Sequence, residues 1–367
     1  MDRSKDIIKV SIIGILVNLV LVGAKAAVGA ISGSIAIIMD AVNNLSDALS
    51  SIITIIGTKI ASKSPDKAHP YGHGRVEYLT SMFIAAMVLF AGVSAIKESI
   101  DKILHPADVN YTTVTLIVVT MGVLTKYFLG RFVSSRGKKL NSQALIASGA
   151  DATFDAILSL TTLVAAGINI FFHFAVEGYL GVLIGVVIIK AGLEIFAESV
   201  SSIIGARVDS DIANDIKRRI NEVPEVLGAY DLILNHYGPE LIIGSVHIEV
   251  PDDMTAKDIH RITRRISEEI YAEHGIILTV GIYAANTSDP ELAAMDTAIR
   301  GIVGDYSQVL QMHGFYVDKE RMLISFDLII DFEEEEPQKI KEEIEAKVRE
   351  LYPDYTCFVV LDTDFSD

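Results

Sequence analysis

Apolar residues are concentrated in one part of this chain. Six stretches, near Ile7–Ile31, Ser34–Ile60, Tyr78–Ile100, Thr112–Phe132, Ala144–Phe172 and Tyr179–Val200, fill the first 205 residues or so. Each is long enough to cross a bilayer, which takes about 20 residues as a helix. In lipid a segment must satisfy its own backbone polar groups, so each stretch is predicted to be helical. The first run is too long, and lacks the small-residue cleavage site, for a removable signal peptide. Sequence after the sixth stretch is charged and of soluble character. The expected fold class is an α-helical membrane domain of six transmembrane helices followed by a cytoplasmic α+β tail.

The tail carries an internal repeat. The first copy reads as helix Ile212–Val223, strands Ala229–Asn235 and Leu241–Val250, helix Thr255–Glu273 and strand Ile277–Tyr283. The second repeats that order at Leu292–Val303, Val309–Val317, Met322–Asp331, Pro337–Leu351 and Thr356–Leu361. Each is an αββαβ unit, ferredoxin- or metallochaperone-like, with one sheet face covered by helices. His236-Tyr-Gly beside His313-Gly, and Ser245-Val-His-Ile-Glu beside Ser325-Phe-Asp-Leu-Ile, are the apparent landmarks of a duplication. The expected domains are 1–205, 206–287 and 288–367.

Basic residues set the orientation. Arg3, Lys5 and Lys9 precede the first span. Lys59, Lys63, Lys67 and Arg75 lie between spans two and three, and Arg131, Arg136, Lys138 and Lys139 between four and five. The opposite loops are poor in them, so both termini are expected on the cytoplasmic side of the cell membrane. A formal charge of −17 argues against nucleic acid as a partner, and Cys357, the one cysteine, excludes intrachain disulfides and thiolate-based zinc sites. The acidic run Glu333–Glu336 reads as a solvated turn before a helix. Small residues at helical spacing, Gly29/Gly33 and Gly181/Gly185, suit close helix packing.

Two of the apolar stretches each hold a polar pair one helical turn apart: Asn43 with Asp47, and Asp151 with Asp155. A charged group at the centre of a membrane helix costs at least about 2.5–3.5 kcal/mol, so such groups are expected to meet each other or a cation. Four oxygen donors without histidine or thiolate describe a site for a hard divalent ion. Mn2+ fits first and Fe2+ second, and Zn2+ less well without an imidazole. Protons and metal compete for the same oxygens, as a metal/proton exchanger requires. Asp40 lies off the Asn43/Asp47 face and reads as a packing or access residue. Lys25, Lys126 and Lys190 read as snorkelling side chains outside the transport chemistry. In the loop Pro65-Asp-Lys-Ala-His-Pro-Tyr-Gly-His-Gly-Arg75, the residues Asp66, His69 and His73 suit a dication, most simply Zn2+, or else a hydrogen-bonded turn. Arg75 and Glu77 suit salt bridges at the head of span three.

The strings Gly33-Ser-Ile-Ala-Ile-Ile-Met-Asp-Ala-Val-Asn-Asn-Leu-Ser-Asp47, Pro70-Tyr-Gly-His-Gly-Arg75 and Ala150-Asp-Ala-Thr-Phe-Asp-Ala-Ile-Leu-Ser159 resemble the cation diffusion facilitator family over roughly residues 5–285. The resemblance implies a homodimeric antiporter that exports divalent cations, with Asn43, Asp47, Asp151 and Asp155 as transport site. Its Asn-Asp/Asp-Asp set is similar to that of the manganese-exporting branch. It also implies a loop metal site at Asp66, His69 and His73, and a dimerising tail in which His247 and His260 stand at ligand positions. Tyr230, Tyr283 and Ala285 stand where zinc-binding members have ligands, and His236 and His274 are possible replacements. Two rival functions are an intramembrane aspartyl protease using Asp47 and Asp155, and a membrane-anchored metal sensor.

Overall fold

A computed structural model describes residues 3–32, 35–105, 113–172 and 177–363. Its first six helices are α1 (Arg3–Ser32), α2 (Ile35–Ala61), α3 (Val76–Leu104), α4 (Thr113–Lys139), α5 (Gln143–Phe172) and α6 (Glu177–Ile204). They follow the six expected spans and extend them by a few residues. Among the described residues, five helices are long and apolar enough to cross a membrane. The remaining one, α2, has a span's length at 27 residues. Ser34, Thr112, Gly33 of the Gly29/Gly33 pair and the side chain of Asp40 lie outside the described residues.

The helix α2 shows why the bundle closes. Its buried polar residues Asn44, Asp47, Ser51, Thr54 and Thr58 recur every three or four positions and form one inward stripe. Leu45, Leu49, Ile52 and Ile56 recur with the same period on the opposite side and stay exposed. A helix with its polar face inward and its apolar face outward matches lipid rather than water as solvent. α1 packs on α2, α3 on α6 and α4 on α5. The α3–α6 approach needs Gly181, where a Cβ would stand 2.1 Å from Ser99 Oγ. At one end of the bundle, Arg3 donates two hydrogen bonds to buried Glu77, at 2.9 and 2.8 Å, and a third to the Leu140 carbonyl. That clamp ties together the start of α1, the start of α3 and the α4–α5 turn. The ends carrying Arg3, Arg75 and Lys139 are therefore on one side.

The second compact unit runs from Arg207 to Asp367, apart from the 237–240 tip of its first hairpin. It contains α7 (Ser210–Asn221), β1 (Gly228–His236), β2 (Ile242–Pro251), α8 (Ala256–His274) and β3 (Ile277–Ala285). The same order follows in α9 (Pro290–Gly304), β4 (Val309–Asp318), β5 (Leu323–Ile330), α10 (Pro337–Leu351) and β6 (Thr356–Asp362). Each copy builds a three-stranded sheet in which the first pair is antiparallel and the second parallel. The helices bury periodic faces such as Ile262, Ile266 and Ile270 on α8, or Ile340, Ile344 and Val348 on α10. Thr255 caps α8 by accepting from the Asp258 amide, and Gly275 ends it in the left-handed region at φ 68°.

Alternation decides which residues face the helices. Val246, Ile248 and Val250 of β2 point into the first core, as Ile324, Phe326 and Leu328 of β5 point into the second. The odd residues of β2, His247 among them, and Ser325 and Asp327 of β5 therefore occupy the uncovered sheet faces. These two faces pack against each other within one chain: Tyr230 stacks on His313, and the Tyr283 hydroxyl lies 3.0 Å from Asp327 Oδ2. Ladder register corrects one apparent landmark. Tyr230 pairs with His247 and His313 with Asp327, so His313 is the counterpart of Tyr230 rather than of His236. Ser245/Ser325 stands as aligned.

Cys357 on β6 packs against the second core, and burial pushes its thiol up to about 11. A thiol needs its thiolate form to react, so at pH 8 folded Cys357 should alkylate on the order of 100-fold more slowly than in the unfolded chain. Iodoacetamide labelling followed by mass spectrometry checks this. Equal rates would mean that β6 is not held in the core.

Candidate metal transport site

The polar pairs of α2 and α5 converge. Asn43 Nδ2 donates to Asp155 Oδ2 at 3.4 Å. Asp47, 9% exposed, and Asp155 share one cationic partner, the ammonium of Lys126 on α4. Lys126 Nζ lies 2.9 Å from Asp155 Oδ2 and hydrogen-bonds Asp47 Oδ2 as well. Asp151 joins through a small cavity, lined with Asp47 by Asn18, Ser50, Ser51 and Ser148. One turn of helix between the members of each pair lets both reach the same space. The outcome is a polar pocket between helices in which two carboxylates from different helices aim at a single cation.

Lys126 corrects the sequence expectation. It does not snorkel to an interface, since it is 4% exposed and bonded to two acidic side chains. Lys25 is equally buried, whereas Lys190 is exposed and sits 3.8 Å from Glu194. The missed signal was simple: a lysine within an apolar span is as costly as an aspartate and calls for the same question of partner.

The loop residues also come together. His69 Nδ1 is 3.4 Å and His73 Nε2 is 3.5 Å from the Asp66 carboxylate, with the two rings 4.5 Å apart. Asp66 Oδ1 accepts from the amides of His69 and Ala68, and chiefly the His69 bond holds its carboxyl below the usual range. The turn and the metal-ligand spacing thus coexist. Glu77, expected in a salt bridge, pairs with Arg3.

In the tail the structure does not bring the two expected histidines together. His260 is exposed on α8. His247 on β2 instead lies with its Nδ1 2.8 Å from Asp231. Among the described residues, neither belongs to a cluster of three acidic or histidine ligands. His274 is paired with Asp215 at 3.0 Å.

Comparison with known proteins fits this geometry. Residues 11–204 match the cation efflux transmembrane domain, and residues 208–282 the cation efflux protein cytoplasmic domain. The chain belongs to the cation efflux family. It is therefore a multi-pass membrane transporter of divalent metal cations with a dimerising cytoplasmic domain, and not a protease. It is 31% identical over 258 residues to an uncharacterized transporter of Methanocaldococcus jannaschii, covering 70% of this chain and 91% of that protein. It is 27% identical over 267 residues to the manganese efflux system protein MneS of Bacillus subtilis, covering 72% and 91%. A second Bacillus subtilis manganese efflux system protein, MneP, is 26% identical over 277 residues, covering 73% and 92%. Residues beyond 282 lie outside both domain matches.

Proposed function

We propose that this cation efflux transporter exports Mn2+ in exchange for protons, with Asn43, Asp47, Asp151 and Asp155 as its transport site. The observation carrying this reading is the convergence of Asp47 and Asp155, from two helices, on one buried cation position. Oxygen-only donors favour Mn2+, then Fe2+, over Zn2+. Two relatives named as manganese efflux system proteins agree with that order.

In the inward-open state a dication enters from the cytoplasm and takes the carboxylates of Asp47 and Asp155, displacing the Lys126 ammonium. The helices then rearrange to open the site outward, where protons compete for the same oxygens and release the metal. The clamp of Arg3 on Glu77 joins the ends rich in basic residues, and in this reading the positive-inside rule assigns those ends and both termini to the cytoplasmic side. The transporter works as a homodimer through its tail. Purified protein in proteoliposomes, given Mn2+ and a pH-sensitive dye, should show metal flux with opposite proton movement. Flux without proton movement would remove the exchange.

Asp66, His69 and His73 form a separate Zn2+-binding loop in this reading. Asp66→Ala should weaken Zn2+ binding there by about tenfold or more, the cost of losing one charged ligand. Equilibrium dialysis measures it, and unchanged affinity would leave Asp66 a turn residue only.

A further inference from the structure

We propose that Asp231, His313 and Asp362 form a divalent-cation site between the two αββαβ copies of one chain, with Asp327 at its edge. Three of these four residues lie beyond residue 282, outside the match to the family's cytoplasmic domain.

The ligand atoms of Asp231, His313 and Asp362 all lie within 4.8 Å of one another. His313 Nε2 is 2.7 Å from Asp231 Oδ1, 3.7 Å from Asp362 Oδ2 and 4.0 Å from Asp327 Oδ2. His313 is fully buried, and neither its Nε2 nor Asp231 Oδ1 has a hydrogen-bond partner. These two atoms face each other as a close ion pair that is poorly aligned for a hydrogen bond, so each is only partly satisfied and can still take an ion. Donors of one ion at about 2.0–2.2 Å from it stand roughly 3 Å apart, so an ion between these atoms asks for small adjustments only.

The other oxygen of Asp231 is already committed. Asp231 Oδ2 faces His247 Nδ1 at 2.8 Å and accepts from the Tyr283 hydroxyl at 2.6 Å. These partners orient the carboxylate and leave Oδ1 aimed at the site, as outer partners do for metal ligands. Tyr283 Oη also lies 3.0 Å from Asp327 Oδ2, and one hydroxyl proton cannot serve both carboxylates. Three carboxylates surround one imidazole, an excess of negative charge that a dication relieves. Nitrogen and oxygen donors without thiolate suit a first-row divalent ion.

The backbone is shaped for this. Asp231 has φ 52°, at a break in the β1–β2 register between Tyr230 and Ile233. A bulge with a left-handed aspartate turns a side chain off the regular alternation, a device frequent beside functional sites. The second copy breaks register at the counterpart place, between His313 and Tyr316, with Gly314 at φ 62°. A Cβ on Gly314 would come within 3.1 Å of Asp327 Oδ2, so the glycine also keeps room beside the acids. Duplication thus gave one chain two facing sheets whose equivalent positions carry different donors.

The full-length protein in detergent, stripped with chelator, is dialysed against Mn2+ alone and Zn2+ alone, and bound metal is counted per chain. Asp362→Asn, at the partly exposed end of β6, should lose one ion per chain relative to the wild type. Mn2+ should also slow hydrogen exchange of the β6 amides in the wild type, which exchange only on opening, by about 100-fold at 100 times its dissociation constant. Equal metal counts in wild type and Asp362→Asn would overturn the site. If Asp362→Asn fails to fold, visible as fast β6 amide exchange without metal, the wild-type protection decides: no slowing of that exchange by Mn2+ overturns the site as well.

Discussion

Asp47→Ala and Asp155→Ala should each lower Mn2+ flux in proteoliposomes by up to about 100-fold, because each removes a charge-assisted contact worth about 3 kcal/mol at the upper end. The electrostatic reason is specific to this site. Asp47, Asp151 and Asp155 with the ammonium of Lys126 leave two formal negative charges, the complement of one dication. Removing either Asp47 or Asp155 lets Lys126 pair with the survivor, at 2.9 Å in the case of Asp155. An internal ion pair then replaces the metal site, and the expected loss is in binding as well as in turnover. Asn43→Ala should cost less, since its contact to Asp155 is a long 3.4 Å hydrogen bond from a neutral amide. Wild-type flux in the Asp155→Ala protein would mean that the convergence of α2 and α5 is only structural.

Lys126→Met should have the opposite effect on binding. The ammonium holds the position between Asp47 and Asp155 that Mn2+ takes in the proposed transport cycle, so there it should compete with substrate. Two charge-assisted hydrogen bonds at about 1.5–3 kcal/mol each set the upper bound of that competition. Allowing for the cost of two carboxylates left without a cation, Mn2+ should bind at least about tenfold more tightly. Release should slow in step, so maximal flux falls while half-saturation moves to lower metal. Isothermal titration and flux on the same preparation separate the two changes. Weaker binding in Lys126→Met would show instead that the lysine organises the carboxylates rather than standing in for the metal.

Six apolar stretches and two αββαβ patterns were legible in the sequence because both are periodic. Hydrophobic length gives a span, alternation gives a strand and a 3.6-residue period gives a helix. Observed boundaries differ from expectation by a few residues, as at α1, which begins at Arg3 rather than Ile7. The pairs Asn43/Asp47 and Asp151/Asp155 were legible for the same reason, since a spacing of four fixes a common face before any neighbour is known. The Asp66/His69/His73 cluster was legible because one short loop carries all three ligands.

Lys126 and His313 were not legible, and the cause is shared. Each acts with residues far along the chain: Lys126 lies 79 positions from Asp47, and His313 touches Asp231 across the two repeats. Spacing gave no hint of either meeting. Residues alone determined that this chain spans a membrane, that α2 and α5 carry oxygen donors on one face, and that the tail repeats a unit. Only the packing of α4 beside α5 put an ammonium between those donors, and only the meeting of two uncovered sheet faces enclosed a histidine among aspartates. Local pattern sets which way a side chain points, whereas partners across the fold depend on how whole helices and sheets bury their remaining faces.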